Sequence, residues 1–234
     1  MKKAFLFLFI ATGTLTMTSC KKKGCTDETA VNYNSKAKKD DGSCLYTPEI
    51  TMTGAADTTI SVSTSYTDPG ATAINKDGSA VDVVVTNSVD TSAVGNYTVK
   101  YEATNANGTA SKERTVRVAI RLDNYTQTWN VTHNCGTTTF PLSSSPTVTA
   151  GSAGNEVIFD NMFTLLGGTG NATVNGASIT FPSQSIAVTG GDITFDGTGT
   201  MTSNGKIINI NYNYVNSIPL LGGSGQCVAT YSRQ

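Results

Sequence analysis

The sequence predicts an all-β protein, a β-sandwich followed by a small antiparallel barrel or meander. Three observations predict it. Apolar and polar residues alternate with a period of two in many short segments, as in Tyr97-Thr98-Val99-Lys100-Tyr101. Past the first twenty residues no stretch sustains the i, i+3, i+4 apolar spacing of a helix. Turn dipeptides such as Pro69-Gly70, Asn107-Gly108 and Asn175-Gly176 separate the alternating segments. Charged residues make up only 14%, with Thr, Ser, Asn and Gly abundant, a composition of exported β proteins.

The N-terminus reads as a processing signal over residues 1–19. Met1-Lys2-Lys3 is a basic start and Ala4 to Ala11 an apolar run. That run is shorter than the roughly 20 residues a membrane-spanning helix needs, and the layout is that of a secretory signal. Met17-Thr18-Ser19-Cys20 resembles the lipobox of bacterial lipoproteins, with Met17 where that family usually has Leu. The resemblance implies cleavage before Cys20 and its lipidation with acyl chains such as palmitate. It also implies anchoring in the cell envelope, at the outer membrane. Several acyl chains would hold where a single one binds only weakly. Lys21, Lys22 and Lys23 follow, where surface-exported lipoproteins of some Gram-negative groups carry acidic residues. The facing direction therefore stays open.

Residues 20–47 comprise the anchor and a cysteine-bounded module. The chain has 5 cysteines. With Cys20 lipidated, Cys25, Cys44, Cys135 and Cys227 remain, and an exported chain can oxidise them. Four cysteines allow three pairings, and sequence locality favours Cys25 with Cys44 and Cys135 with Cys227. The landmarks Gly24-Cys25-Thr26-Asp27, Asn32-Tyr33-Asn34 and Asp40-Asp41-Gly42-Ser43-Cys44 resemble a short module found, often repeated, in exported Gram-negative proteins. Asp27, Asn32, Asn34, Asp40 and Asp41 offer the hard oxygen ligands that calcium prefers. The competing reading makes them turn and cap residues, and no other cofactor is expected.

Residues 48–121 form the sandwich. Tyr97, Val99, Tyr101 and Ala103 fall on one face, and Asn105 to Gly108 is a hairpin turn. The run Tyr66-Thr67-Asp68-Pro69-Gly70-Ala71-Thr72-Ala73, the approach Asp90 to Tyr97, and Arg114-Thr115-Val116-Arg117-Val118 resemble the bacterial Ig-like domain first noticed in pesticidal crystal proteins. The resemblance implies an Ig-like sandwich with Tyr97 at a tyrosine corner. It implies a spacer or a binding module, since the fold alone does not fix function.

Residues 123–234 continue as hairpins. Trp129 and Val131 alternate with polar neighbours. Val157-Ile158-Phe159 is an apolar strand, Asn175-Gly176 marks one hairpin, and Ser203 to Lys206 marks another before Ile207 to Tyr212. Sequential hairpins make a meander, which closes most easily into a small barrel. A barrel of about eight strands is filled by side chains or holds one small ligand, and the filled barrel is the expectation here. The layout resembles small lipocalin-like barrels of exported lipoproteins. A Cys135–Cys227 bond would tie its first and last strands.

No catalytic site is expected. His133 is the only histidine, and no nucleophile elbow or phosphate loop accompanies it. Asp192 and Asp196 resemble a glycosidase pair in type, yet their Gly-rich context reads as turns. With 16 Lys+Arg against 17 Asp+Glu there is no basic footprint for nucleic acid. The expected function is a membrane-anchored lipoprotein acting in binding, adhesion or display, with a glycan or protein as its ligand. The alternatives are an accessory glycan-binding lipoprotein of a polysaccharide-uptake system, with Trp129, Tyr212 and Tyr214 as stacking residues, and a small-ligand carrier. For the three aromatics, core packing is the competing reading.

Overall fold

A computed structural model describes residues 21–164 and 167–233. The expected signal segment and Cys20 lie outside the described residues. The fold is almost all β. Seven strands build an Ig-like sandwich and eight build a barrel-like sheet, with one 3-10 turn at Leu122–Asn124 between them.

In the sandwich, β1 (Glu49–Met52), β3 (Ala71–Ile74) and β4 (Ala80–Val81) make one sheet. β2 (Asp57–Ser61), β7 (Gly108–Ala119), β6 (Gly95–Asn105) and β5 (Val83–Asn87) make the other. β2 lies parallel to β7, while the remaining pairs are antiparallel. The alternation of β6 is realised: Val99, Tyr101 and Ala103 are buried against Ile50, Ala73 and Val116. Tyr97 is a tyrosine corner, its hydroxyl donating to the Ala93 carbonyl at 2.9 Å. The β6–β7 turn consists of Ala106 and Asn107, because Asn105 registers opposite Gly108, and Gly108 takes φ 137°.

One charged group sits in this core. Arg114 is 2% exposed. Its Nε donates to the Tyr101 hydroxyl at 2.9 Å and lies 3.2 Å from Asp68 Oδ1, while its other nitrogens donate to the Ala55 and Thr53 carbonyls. Tyr101 and Tyr66 both donate to Asp68, at 2.6 and 3.2 Å. Burial and the Asp68 charge push the Tyr66 phenol up to about 12. Burial also raises Tyr101, so both phenols stay protonated as donors.

The second sheet runs β8 (Trp129–His133), β15 (Gly223–Arg233), β14 (Ile207–Asn216), β13 (Gly191–Met201), β12 (Ser178–Val188), β11 (Gly170–Asn175), β10 (Glu156–Asp160) and β9 (Thr147–Ala150). Neighbours pair antiparallel throughout. The edges meet. Trp129 N donates to Pro146 O at 3.0 Å, Val131 N to Ser144 O at 2.8 Å and Val148 N to Gln127 O at 2.8 Å, beside a bridge between Thr128 and Thr147. Pairing the sheet back on itself removes exposed edges. Cys135 is bonded to Cys227, and Cys25 to Cys44 in the small module.

The interior is packed with rings. Phe140 contacts Phe163, Phe195, Tyr212 and Tyr214 at centroid distances of 4.8–5.7 Å. Phe159 contacts Phe181 and Tyr231 at 5.0 and 5.6 Å. Such pairs add to what area burial contributes. Phe140 comes from the long loop after β8, which folds inward and closes the end of the barrel far from the sandwich.

At the near end the two domains share one core, in which Val62, Val118 and Ile120 join Tyr125 and Trp129. Asn124, 1% exposed, accepts from Arg121 N and donates to Val62 O, both at 2.9 Å. Ser61 donates to Asp123, Ser63 to Asn204 O, and Tyr125 to Gly176 O. Replacing Asn124 with Ala strands a buried carbonyl and an amide, at a cost of about 1–3 kcal/mol. A thermal melt of the Asn124→Ala chain is expected to show a lower midpoint, and an unchanged one would contradict the role.

Candidate functional site

The cysteine-bounded module is held by local bonds. Asp27 accepts from Thr29 N and Oγ1 at 2.9 and 2.7 Å and from the Tyr46 hydroxyl at 2.7 Å. Asn32 donates to Ser43 O and accepts from Leu45 N. Asn34 accepts from Lys36 N, Asp40 from Gly42 N, and Asp41 from Ser43 N and Oγ. Of the five residues expected as calcium ligands, Asp27, Asn34, Asp40 and Asp41 are thus engaged in Asx-type turns, and Asn32 ties its own stretch to Ser43 and Leu45. Among the described residues no group of three or more His, Cys, Asp or Glu side chains gathers as a metal cluster.

The bonds from Tyr46 first, then Thr29, hold the Asp27 carboxyl down at about 2, against an ordinary 3.8. Its stabilising effect is therefore complete above pH 3.8 and is lost as pH falls toward 2. A carboxyl-carbon titration should find a midpoint near 2 for Asp27. In Tyr46→Phe the midpoint should rise toward 3.8; no movement would assign the depression elsewhere.

The module is docked on the sandwich. Asn105 and Asn107 both donate to Tyr46 O, at 2.9 and 3.1 Å, and Lys76 Nζ stands 4.8 Å above the Tyr46 ring. A cleft of about 420 Å³ lies at this junction, lined by Tyr46, Pro48, Lys76 and Lys112 among others.

The aromatic residues expected to stack on sugars are corrected. Trp129 is 0% and Tyr212 1% exposed, both inside the barrel. Trp129 Nε1 donates to Tyr125 O, and the Tyr212 and Tyr231 hydroxyls bond to each other at 2.8 Å. Burial raises both phenols well above 10, so neither supplies a base. Tyr214 also points inward and stacks on Phe140, although one edge reaches a surface cleft. The physical reason is alternation: Ile208, Ile210, Tyr212 and Tyr214 share one face of β14, and the barrel turns that face inside. With rings filling the interior, the small-ligand reading loses its cavity.

Asp192 and Asp196 are corrected as well. Both belong to β13 and not to turns. Asp192 stands just after the turn at residues 189–190, and for Asp196 the reason is Gly197 and Gly199. They sit opposite Tyr212 and Ile210, and a Cβ at either would come within 2.8 Å of the β14 side chains. His133 ends β8, its Nδ1 buried and unpartnered.

What β13 to β15 present outward is a mostly uncharged polar wall in which Val215 and Val228 are exposed. Thr180, Thr198, Asn211 and Val228 register across four strands. Ser178, Thr200, Asn209, Thr230 and Thr132 register across five. Asp196, Asn213 and Gln226 form a further row, in which Gln226 Nε2 donates to Asn213 Oδ1 at 2.9 Å and Asn213 Nδ2 to Asp196 Oδ1 at 2.7 Å. Two clefts of about 320 Å³ each flank that row. From Gly170 to Ser232 only Asp192, Asp196 and Lys206 are charged. The cross-strand row comes from the register of the three strands.

Residues 50–118 match the family described as bacterial surface protein, Ig-like domain. A lipoprotein from Bacteroides thetaiotaomicron, known from a crystal structure, aligns with 80% of this chain and 100% of its own at 13% identity and a TM-score of 0.30. No curated protein matches the chain.

Proposed function

We propose that the chain is a lipid-anchored envelope protein in which a stiff stalk presents the barrel as a binding and display head. One observation carries this reading: the sandwich is locked to a different neighbour at each end. Asn105 and Asn107 hold the cysteine-bounded module. Ser61, Ser63 and Asn124 act at the other end, toward the barrel. β6 joins the two ends, and at the usual strand rise its 11 residues span about 35 Å. In this reading the anchor at Cys20 precedes the module, so the barrel stands farthest from the membrane. The surface-protein family matched by the sandwich supports such a placement.

The test is biochemical. Metabolic labelling with an alkyne fatty acid should mark the wild-type chain and not Cys20→Ala, and the variant should leave the membrane fraction. A mature chain with an unmodified Cys20 would overturn the proposal.

A further inference from the structure

We infer that the outer wall of β13–β15, centred on Asp196, Asn213 and Gln226, binds a neutral polysaccharide chain. The inference rests on the barrel being the binding head, but the site it names is new.

The row is arranged in advance. Gln226 donates to Asn213, and Asn213 donates to Asp196. Those bonds fix the amide orientations and leave one N–H of Asn213, the Gln226 oxygen and its second N–H, and the other Asp196 oxygen facing solvent. Donors and acceptors side by side suit the adjacent hydroxyls of a sugar, each of which both donates and accepts. Groups held in place before binding lose less freedom when a ligand arrives.

The neighbours agree in chemistry. The two flanking clefts share this row, one on each side of it, and both are open to solvent. Open clefts on either side of a polar row accommodate a polymer lying across the wall, where an enclosed pocket would select a small molecule. Val228 is exposed in one cleft and Tyr214 edges the other, giving apolar contact for the C–H faces of sugar rings. Strands repeat at about 4.8 Å, so successive strands offer polar groups at closely spaced steps along a chain lying across them.

Charge decides the ligand class. The wall carries no Lys or Arg to pair with sulfate, phosphate or uronate groups, and its Asp196 would repel them. Its one aromatic contributor, Tyr214, is half-buried and stacked on Phe140, so no exposed Trp or Arg anchor of the kind that protein interfaces concentrate at their centres stands on the wall.

The full chain, purified in mild detergent, is mixed with insoluble cellulose, mannan, xylan and chitin, and with pectate as the anionic control. Sedimentation with at least one neutral polymer and none with pectate is expected, whether or not Cys20 is lipidated. Asn213→Ala with Gln226→Ala should weaken that binding at least tenfold, and Val228→Arg should block it, while Thr173→Ala on β11 leaves it unchanged. These side chains point away from the core, and unchanged circular dichroism would confirm the fold. Failure to bind any neutral polymer overturns the inference, as does binding that the wall variants leave intact.

Discussion

Replacing Cys135 and Cys227 together by Ala is expected to destabilise the barrel by about 4–5 kcal/mol. The bond spans a sequence separation of 92, so in the chain-entropy account it removes much of the freedom of the unfolded chain. Its position adds to that. β8 pairs with β15 from Ala229 to Arg233, and beyond this the strands are joined by the disulfide and by the two bonds between Asn134 and Val228. Immediately after Cys135 the chain enters the loop that carries Phe140 into the barrel. Opening this corner therefore loosens the ring packing as well as the strand seam. Alanine is the better probe than serine, because both cysteines are buried and an added hydroxyl would need a partner. Trp129 is the sole tryptophan and sits on β8 inside the barrel, so its fluorescence reports this unfolding directly. In urea, the midpoint should fall and the slope should rise somewhat, because the unfolded chain without the cross-link exposes more surface. A loss below about 1 kcal/mol would mean that strand pairing alone closes the barrel. Removing Cys25–Cys44, at a separation of 19, should cost about 3 kcal/mol in the module and leave the Trp129 transition in place.

Much of this architecture was readable from residue order. Alternation in Tyr97 to Ala103 gave the two faces of β6, and the turn at Ser203 to Lys206 gave the hairpin that leads into β14. What alternation cannot say is which face closes inward, and there the aromatic residues mislead: a tyrosine beside asparagines looks equally like a stacking platform. Burial was settled by closure of the sheet, a property of eight strands together. The Asp196-Gly197-Thr198-Gly199 run misled differently. Glycine beside aspartate ordinarily marks a turn, but here Gly197 and Gly199 face the interior, where Tyr212 and Ile210 need the space. Gly in a strand interior often marks such close approach. Phe140, Leu142, Met162 and Phe163 lie outside the named strands, and no period announces a loop residue that folds into a core. The outward trio of Asp196, Asn213 and Gln226 likewise comes from three strands and becomes a row only through their register.

In the sandwich, Arg114→Ala is expected to cost about 3–5 kcal/mol, because it leaves a charged partner without compensation in a largely buried site. Asp68 would keep its two phenol donors but lose its cation, and the Thr53 and Ala55 carbonyls would lose theirs. Arg114→Lys tests geometry separately from charge. An ammonium keeps the charge but cannot reach Tyr101, Asp68 and two carbonyls with the planar fork of a guanidinium. Its expected loss lies between those of Ala and wild type. Tyr101→Phe removes one donor to Asp68 and one acceptor for Arg114, and about 1–3 kcal/mol should follow. The ordering Ala, then Lys and Tyr101→Phe, then wild type is the informative result, read by calorimetry of the full chain. Because Val62, Val118 and Ile120 share a core with Trp129, a weakened sandwich should also bring the barrel transition down. Barrel fluorescence that is unchanged while calorimetry shows the sandwich melting early would mean that the shared core does not couple the two. An Arg114→Ala chain as stable as wild type would show that the tyrosine hydroxyls alone satisfy Asp68, and that the cation contributes nothing net to the fold.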